Sequence, residues 1–200
     1  MVALQEVDAS PLGRGTFQMD YLAEATGYTA IPGTTIYAGS GGDCDFGNVL
    51  LSAYPVTAVR HIDLSIDGYE PRGAIDADVR VAGGLLRVVA THLGLRHRER
   101  AAQVRRLLGA LEEAYPRPLV LLGDINEWWP WSRSLRRLRE RFGPSPAPPA
   151  FPAASPVLAL DRIWARPRGV LRKIWAVRSP ATRPASDHLP VMGCLDLPGG

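Results

Sequence analysis

The segment Leu119-Val120-Leu121-Leu122 runs straight into Gly123-Asp124-Ile125-Asn126. Four apolar residues closed by a glycine and an acid describe a buried strand that ends at a polar turn. The arrangement recurs along the chain. Leu86, Val88 and Ala90 lead to Thr91-His92, Leu4-Gln5 leads to Glu6-Val7-Asp8, Asp161 opens another strand, and Ser186-Asp187-His188-Leu189-Pro190 precedes the last one. Carboxylates, an amide and imidazoles thus stand where apolar strands begin or end. In a layered fold that is the rim on which convergent polar groups make a site.

The chain has 200 residues, of which 46% are hydrophobic, so it reads as one domain over 1–200 with a sizeable core and not as a disordered segment. A net charge of +3 is too mild to demand a nucleic-acid partner. The arginines do cluster, between Arg96 and Arg106 and between Arg133 and Arg141, and both groups read first as solvated helix faces. Cys44 and Cys194 lack metal-ligand spacing and read as reduced packing residues. No secretory leader and no run of about 20 apolar residues is present, which makes a cytoplasmic protein without a transmembrane segment the expectation. Pro144-Ser145-Pro146-Ala147-Pro148-Pro149 reads as a stiff surface loop.

Residues 2–7 predict a short buried strand, and 17–26 a short helix with Leu22 and Ala25 on one face. Residues 39–42 are glycine-rich and predict a flexible loop without the lysine of a phosphate-binding loop. Ile62, Leu64 and Ile66 alternate, as do Ile75, Ala77, Val79 and Val81, which predicts strands with one wet face. Over 98–115 the period changes to that of a helix, through Ala101, Val104, Leu108 and Leu111. Ser132 is placed to cap the next helix, whose apolar face is Leu135, Leu138 and Phe142. Short strands over 162–165, 171–177 and 189–195 finish the chain, so sheets covered by helices are expected.

Glutamate, aspartate, asparagine and histidine are the groups that hydrolyse a phosphate ester around a hard metal ion. Glu6 is a candidate oxygen ligand for Mg²⁺. Asp124 and Asn126 are two apart, so in an extended chain both side chains point the same way. Such a pair can accept a proton and donate to a phosphoryl oxygen. His188 can take a proton or, when charged, stabilise pentavalent phosphorus; Asp161 is the group best placed to hold its ring and favour the charged form. His92 ends another strand and adds a second imidazole, whereas His61 and His97 read as surface residues, and Glu127 is expected to point away from the site. No serine-nucleophile elbow is present, and Ser186, Asp187 and His188 are too close in sequence to form a triad. Trp128, Trp129 and Trp131 can line a pocket, stack on a base, meet lipid headgroups or pack the following helix, while Trp164 and Trp175 read as core.

With these residues in view the chain resembles the endonuclease/exonuclease/phosphatase superfamily, whose fold is DNase I-like. The resemblance rests on Leu4-Gln5-Glu6-Val7-Asp8, Gly47-Asn48-Val49-Leu50-Leu51-Ser52, Glu70-Pro71-Arg72-Gly73, Thr91-His92-Leu93-Gly94, Gly123-Asp124-Ile125-Asn126, Leu160-Asp161-Arg162-Ile163 and Ser186-Asp187-His188, in that order. It is most similar to small bacterial members. It implies an α/β four-layer sandwich, two mixed β-sheets face to face with helices outside. It also implies a divalent cation, Mg²⁺ with Mn²⁺ as the alternative, held by Glu6 with Asp187 supporting the metal or its waters. His92 would contact the phosphate, Asp124 would orient or deprotonate water beside Asn126, and His188 would face the phosphate, held by Asp161. The expected activity is a phosphodiesterase, with a nuclease or a phosphomonoesterase as alternatives and nucleic acid or phospholipid as substrate classes. In one respect the chain departs from the pattern. Family members carry an asparagine-bearing strand ahead of the Gln-Glu-Val-Asp segment, and here Met1 stands four residues before Gln5. The N-terminus is therefore expected to be incomplete for the fold, which sets against the enzyme a catalytically impaired scaffold that binds phosphorylated ligands or a protein partner.

Overall fold

The computed structural model describes residues 1–8, 11–12, 16–37, 45–112 and 117–197. In chain order the elements are β1 (Val2–Asp8), β2 (Pro11–Leu12), β3 (Thr16–Phe17), α1 (Gln18–Thr26), β4 (Thr29–Tyr37), β5 (Asp45–Ser52), β6 (Val56–Asp63), β7 (Gly73–Val81), β8 (Gly84–His92), α2 (His97–Ala110), β9 (Leu119–Asp124), α3 (Arg133–Phe142), β10 (Asp161–Arg166), β11 (Leu171–Ala176), α4 (Thr182–Ala185) and β12 (Val191–Leu195). Five strands form one sheet in the order β10-β9-β8-β7-β6, in which β8 and β9 run parallel and the other pairs antiparallel. Facing it are an antiparallel three-stranded sheet, β1-β5-β4, and the hairpin β11-β12.

Strand alternation builds two cores from one sheet. Ile75, Ala77 and Val79 of β7, Leu86, Val88 and Ala90 of β8, and Val120 of β9 face the opposing sheet and meet Ile31 and Leu50 there. Val89, Leu119 and Leu121 point the other way, against Val104 and Leu107 of α2 and Leu135, Leu138 and Phe142 of α3. On the far side Met19 and Leu22 of α1 pack on Val7, Val49 and Leu51. Helix, sheet, sheet, helix: these are the four layers expected of the fold. Ser132 caps α3, its hydroxyl accepting from Leu135 N at 3.2 Å.

Several expectations need correction. Ala25 is exposed, and Met19 takes its place beside Leu22 on the buried side of α1. Helix α2 ends at Ala110, with residues 113–116 outside the described set, as are 39–42 and Cys44. Strand β4 has no alternating signal because Pro32 and Gly33 interrupt it; the pairing with β5 shifts register between Pro32 and Thr35, and β4 lies at the sheet edge, where proline costs no ladder bond. The wet face predicted for β7 is buried. Its Asp76 lies opposite Arg60, and Asp78 opposite Arg87, so these arginines cover the face; Arg87 Nη2 reaches Asp76 Oδ2 at 2.6 Å. Cys194 is a free thiol on the surface, not a packing residue. Trp164 is core, but Trp175 is only half-buried, with the Lys173 ammonium 5.1 Å from its ring.

Among the described residues no helix is long and apolar enough to cross a membrane. A cleft of about 790 Å³ opens between β1 and β12, each at the margin of its sheet. Its walls are apolar at Leu4, Leu122 and Val191, and Glu6, Asp161 and His188 also line it.

Candidate active site

Strand register assembles the site. In the five-stranded sheet His92 is the partner of Asp124 across β8–β9, and Asp161 is the partner of Asp124 across β9–β10. Three polar groups from three strands therefore stand in one row at the sheet's end. Gly123 makes that row possible. It sits at φ +136° and a Cβ there would lie 1.9 Å from Thr91 O, so only glycine lets β9 approach β8 so closely just before Asp124.

Asn126 reaches the row by a turn, not along an extended strand as its spacing suggested. Its backbone is left-handed at φ 54°, and its N–H donates to Asp124 Oδ1 at 2.7 Å. Asparagine is among the few side-chain-bearing residues that take this conformation readily. Its amide then donates to Leu93 O at 2.8 Å and lies 3.0 Å from His92 Nε2.

His92 is buried and is held by a residue that the sequence offered only inside a motif. Arg72 Nη1 lies 3.1 Å from His92 Nδ1, and Arg72 Nη2 donates to Glu70 Oε2 at 2.9 Å. Guanidinium can only donate, and the Asn126 amide nitrogen donates too, so donors face both ring nitrogens and disfavour the charged ring. Asp124 Oδ2 lies 3.7 Å from Nε2. Burial, helped by the charges of Arg72 and His188, pushes the His92 pKa down to about 3. This imidazole is neutral at any ordinary pH.

His188 is its opposite. Its Nδ1 lies 2.7 Å from Asp161 Oδ2, and that hydrogen bond raises its pKa, as do the charges of Asp161, Asp124 and Asp187. The Phe151 ring packs 4.8 Å from the imidazole. Two backbone bonds, Ala153 N to Asp187 O and Leu189 N to Ala150 O, tie this loop to the segment carrying Phe151. Nε2 of His188 points toward Asp124 Oδ2 at 4.0 Å.

Asp124 thus sits between a neutral imidazole and one whose charged form is favoured. Burial, with the negative charges of Asp161 and Glu6 adding to it, raises its pKa to about 6. A carboxylate poised there can take a proton near neutral pH. Glu6 lies in the irregular part of β1, at φ 54° where register shifts between Leu4 and Val7, and is exposed. Asp187 is also exposed, its carboxylate 3.4 Å from the Ser186 hydroxyl. So the structure gathers His92, Asp124, Asn126, Asp161 and His188, and leaves Glu6 and Asp187 outside that hydrogen-bonded group. Among the described residues no three side chains of metal-binding type form a closed cluster. His61 and His97 are exposed, and the His61 ring meets Pro32 O at 2.8 Å.

Glu127 points away from the row, as expected, but is not a bystander. It is buried against Arg100, whose Nε and Nη2 lie 3.3 and 3.2 Å from its two oxygens. Arg100 belongs to the run read as a solvated face. Its burial has one visible sign, the glutamate placed directly after the Asp-Ile-Asn turn.

Residues 1–188 match the profile of the Endonuclease/Exonuclease/phosphatase family. The chain belongs to that family. Its members generally hydrolyse phosphoester bonds. A curated relative, the uncharacterized protein YbhP of Escherichia coli K12, is 31% identical over 166 residues, 76% of this chain. The chain spans 63% of that relative's length. Among solved structures, a family member from Bacteroides vulgatus superposes with a TM-score of 0.77 at 18% identity, covering 98% of this chain and 84% of its own. A mannosyl-6-phosphatase from Bacteroides thetaiotaomicron superposes with a TM-score of 0.68 at 16% identity, covering 90% and 81%. At such identities the likeness speaks for the fold.

Proposed function

We propose that the protein hydrolyses phosphodiesters with the help of a divalent cation, Mg²⁺ or Mn²⁺. One observation carries the reading: the Asp124 carboxylate, with a pKa near 6, stands 3.7 Å from a neutral imidazole and 4.0 Å from one whose charged form Asp161 favours. Asp124 takes a proton from a water as its oxygen attacks phosphorus. His92, held between Arg72 and Asn126, faces the phosphate as a neutral ring, and His188, whose charged form Asp161 favours, offsets the charge that grows on the phosphoryl oxygens. The bond from phosphorus to the leaving oxygen breaks, and that oxygen collects a proton from solvent.

The residues present suit a hard cation by their chemistry. Glu6 and Asp161 are close enough to Asp124 to raise its pKa, a surplus of negative charge that a cation relieves. Mg²⁺ keeps several waters and needs only one or two carboxylates, which Glu6 and Asp187 would supply. When bound, it would neutralise phosphoryl oxygens as a Lewis acid. Arg72 is already committed to Glu70 and His92, so no free guanidinium of this group is left for the second charge of a monoester, which favours a diester.

The test is hydrolysis of bis(p-nitrophenyl) phosphate with Mg²⁺, Mn²⁺ or EDTA, beside p-nitrophenyl phosphate. Metal-dependent diester turnover that falls about 10²–10⁴-fold in His188→Ala supports the reading. Turnover unchanged in that variant, or phosphoester binding with no metal-dependent turnover in a folded protein, overturns it.

A further inference from the structure

Three indoles stand out of the surface beside the row just described. Trp128, Trp129 and Trp131, on the loop from β9 to α3, are 51, 60 and 75% exposed. Leu95, on the loop from β8 to α2, is 65% exposed. The two loops share one clamp. The Arg100 guanidinium donates to the carbonyls of Gly94 and Leu95, and pairs with the buried Glu127 carboxylate, which in turn accepts from Trp129 N at 3.2 Å. Trp129 O accepts from Ser132 N, and Pro130 O from Arg139 Nη1. The indoles are therefore held outward by hydrogen bonds to their backbone, not left there for want of packing. Large exposed aromatic surface on a fixed loop marks a contact site.

The rim of this patch is basic. Arg96 and Arg98 are exposed at the start of α2, and Arg133 and Arg136 on α3. Helix α3 holds five arginines and a single acid, Glu140, 3.7 Å from Arg136. Exposed indoles with exposed arginines next to them in the chain match an anionic lipid surface, where the ring bodies enter the headgroup boundary and the guanidinium groups meet phosphates. A single-stranded nucleic acid needs open ring faces for base stacking. Here Trp129 and Trp131 lean on each other at 5.6 Å and 39°, and Trp128 tilts against Phe151 at 6.3 Å and 55°. Each ring thus leans on a neighbour, and what the loop presents is a cluster of apolar ring bodies and not a row of separate stacking platforms.

We propose that the Trp128–Trp131 loop, with Leu95 and the surrounding arginines, docks the protein on an anionic phospholipid bilayer. Docking there sets the mouth of the site against the headgroups, because Asp124 and Asn126 immediately precede the loop and Phe151 bridges Trp128 to His188. If the hydrolase reading also holds, the substrate class is a phosphodiester presented at a membrane surface.

Cosedimentation of the full chain with vesicles tests docking without reference to turnover. The probes are phosphatidylcholine vesicles and vesicles of two parts phosphatidylcholine to one part phosphatidylglycerol, with oligodeoxythymidylate as competitor. The expected result is binding to the anionic vesicles with a blue shift of tryptophan emission, weakened about tenfold or more in Trp129→Ala/Trp131→Ala and in Arg133→Gln/Arg136→Gln. Both variants alter exposed side chains, keep the far-ultraviolet circular dichroism of the parent, and turn over the soluble diester at the parent's rate. Absence of binding to anionic vesicles, binding undiminished in the tryptophan variant, or displacement of the vesicles by the oligonucleotide overturns the proposal. A protein that docks but hydrolyses nothing refutes the hydrolase reading alone.

Discussion

Asp124 and His92 are neighbours whose proton equilibria act on stability in opposite directions. Asp124 has its folded pKa raised from 3.8 to about 6. Its ionised form is therefore disfavoured by folding, and the cost is complete above about pH 6 and gone below its unfolded value. In EDTA, Asp124→Asn should raise the stability measured by urea unfolding at pH 7 by about 1–3 kcal/mol, the gain shrinking as pH falls through 6 toward 3.8. The amide keeps an acceptor for Asn126 N, and diester hydrolysis should be lost. For His92 the folded pKa falls from 6.5 to about 3, so the unfolded chain binds the extra proton between those values. Stability is then lost as pH drops below 6.5. In the parent the two effects partly cancel between pH 6 and 4. Removing the carboxylate should expose the histidine's effect, steepening the acid limb toward about 1.4 kcal/mol per pH unit. An unchanged acid limb in Asp124→Asn would show that folding does not raise the pKa of Asp124. The residue types of this site were legible because each stood where an apolar strand begins or ends. Arg72 was not, because an arginine's burial depends on a partner, His92, that lies 20 positions away.

At the scale of elements, register decides what the row can be. His92, Asp124 and Asp161 meet only because β8, β9 and β10 pair with those residues in line, and Gly123 sets how closely β8 and β9 can run. Gly123→Ala meets both a left-handed φ and the Thr91 carbonyl, and should cost about 2–4 kcal/mol in urea unfolding, with diester turnover falling further than stability explains. A substitution tolerated with parental turnover would mean the strands can part without disturbing the row. Strands such as β8 and β9 were readable because apolar alternation and a terminal glycine agree with each other. Strand β4 was hidden by Pro32 and Gly33, and the buried face of β7 by Asp76 and Asp78, whose arginine partners come from neighbouring strands. Local sequence carries periodicity; it does not carry the neighbour that neutralises a charge.

Across the whole molecule the arginines and the row occupy different places, and salt should separate them. The His188 imidazole in the row is half-buried between Asp161 and Phe151, where mobile ions screen weakly. Arg96, Arg98, Arg133 and Arg136 are exposed, rim the tryptophan loop and form no part of the row. A polynucleotide gripped by those arginines would release counterions on binding, so nuclease turnover of a long strand would fall steeply with salt. A small soluble diester engages only the row. Its kcat/KM should vary by less than about twofold between about 50 and 200 mM salt, while vesicle binding weakens over the same range. Steady-state kinetics and cosedimentation on one preparation measure both. A parallel steep decline of the two would place an exposed arginine in the substrate site and return the nuclease reading to the front. Salt-independent turnover beside salt-sensitive docking would mean that the fold keeps its chemistry and its anchoring on separate charges, the former enclosed by strand register and the latter displayed on helix surfaces.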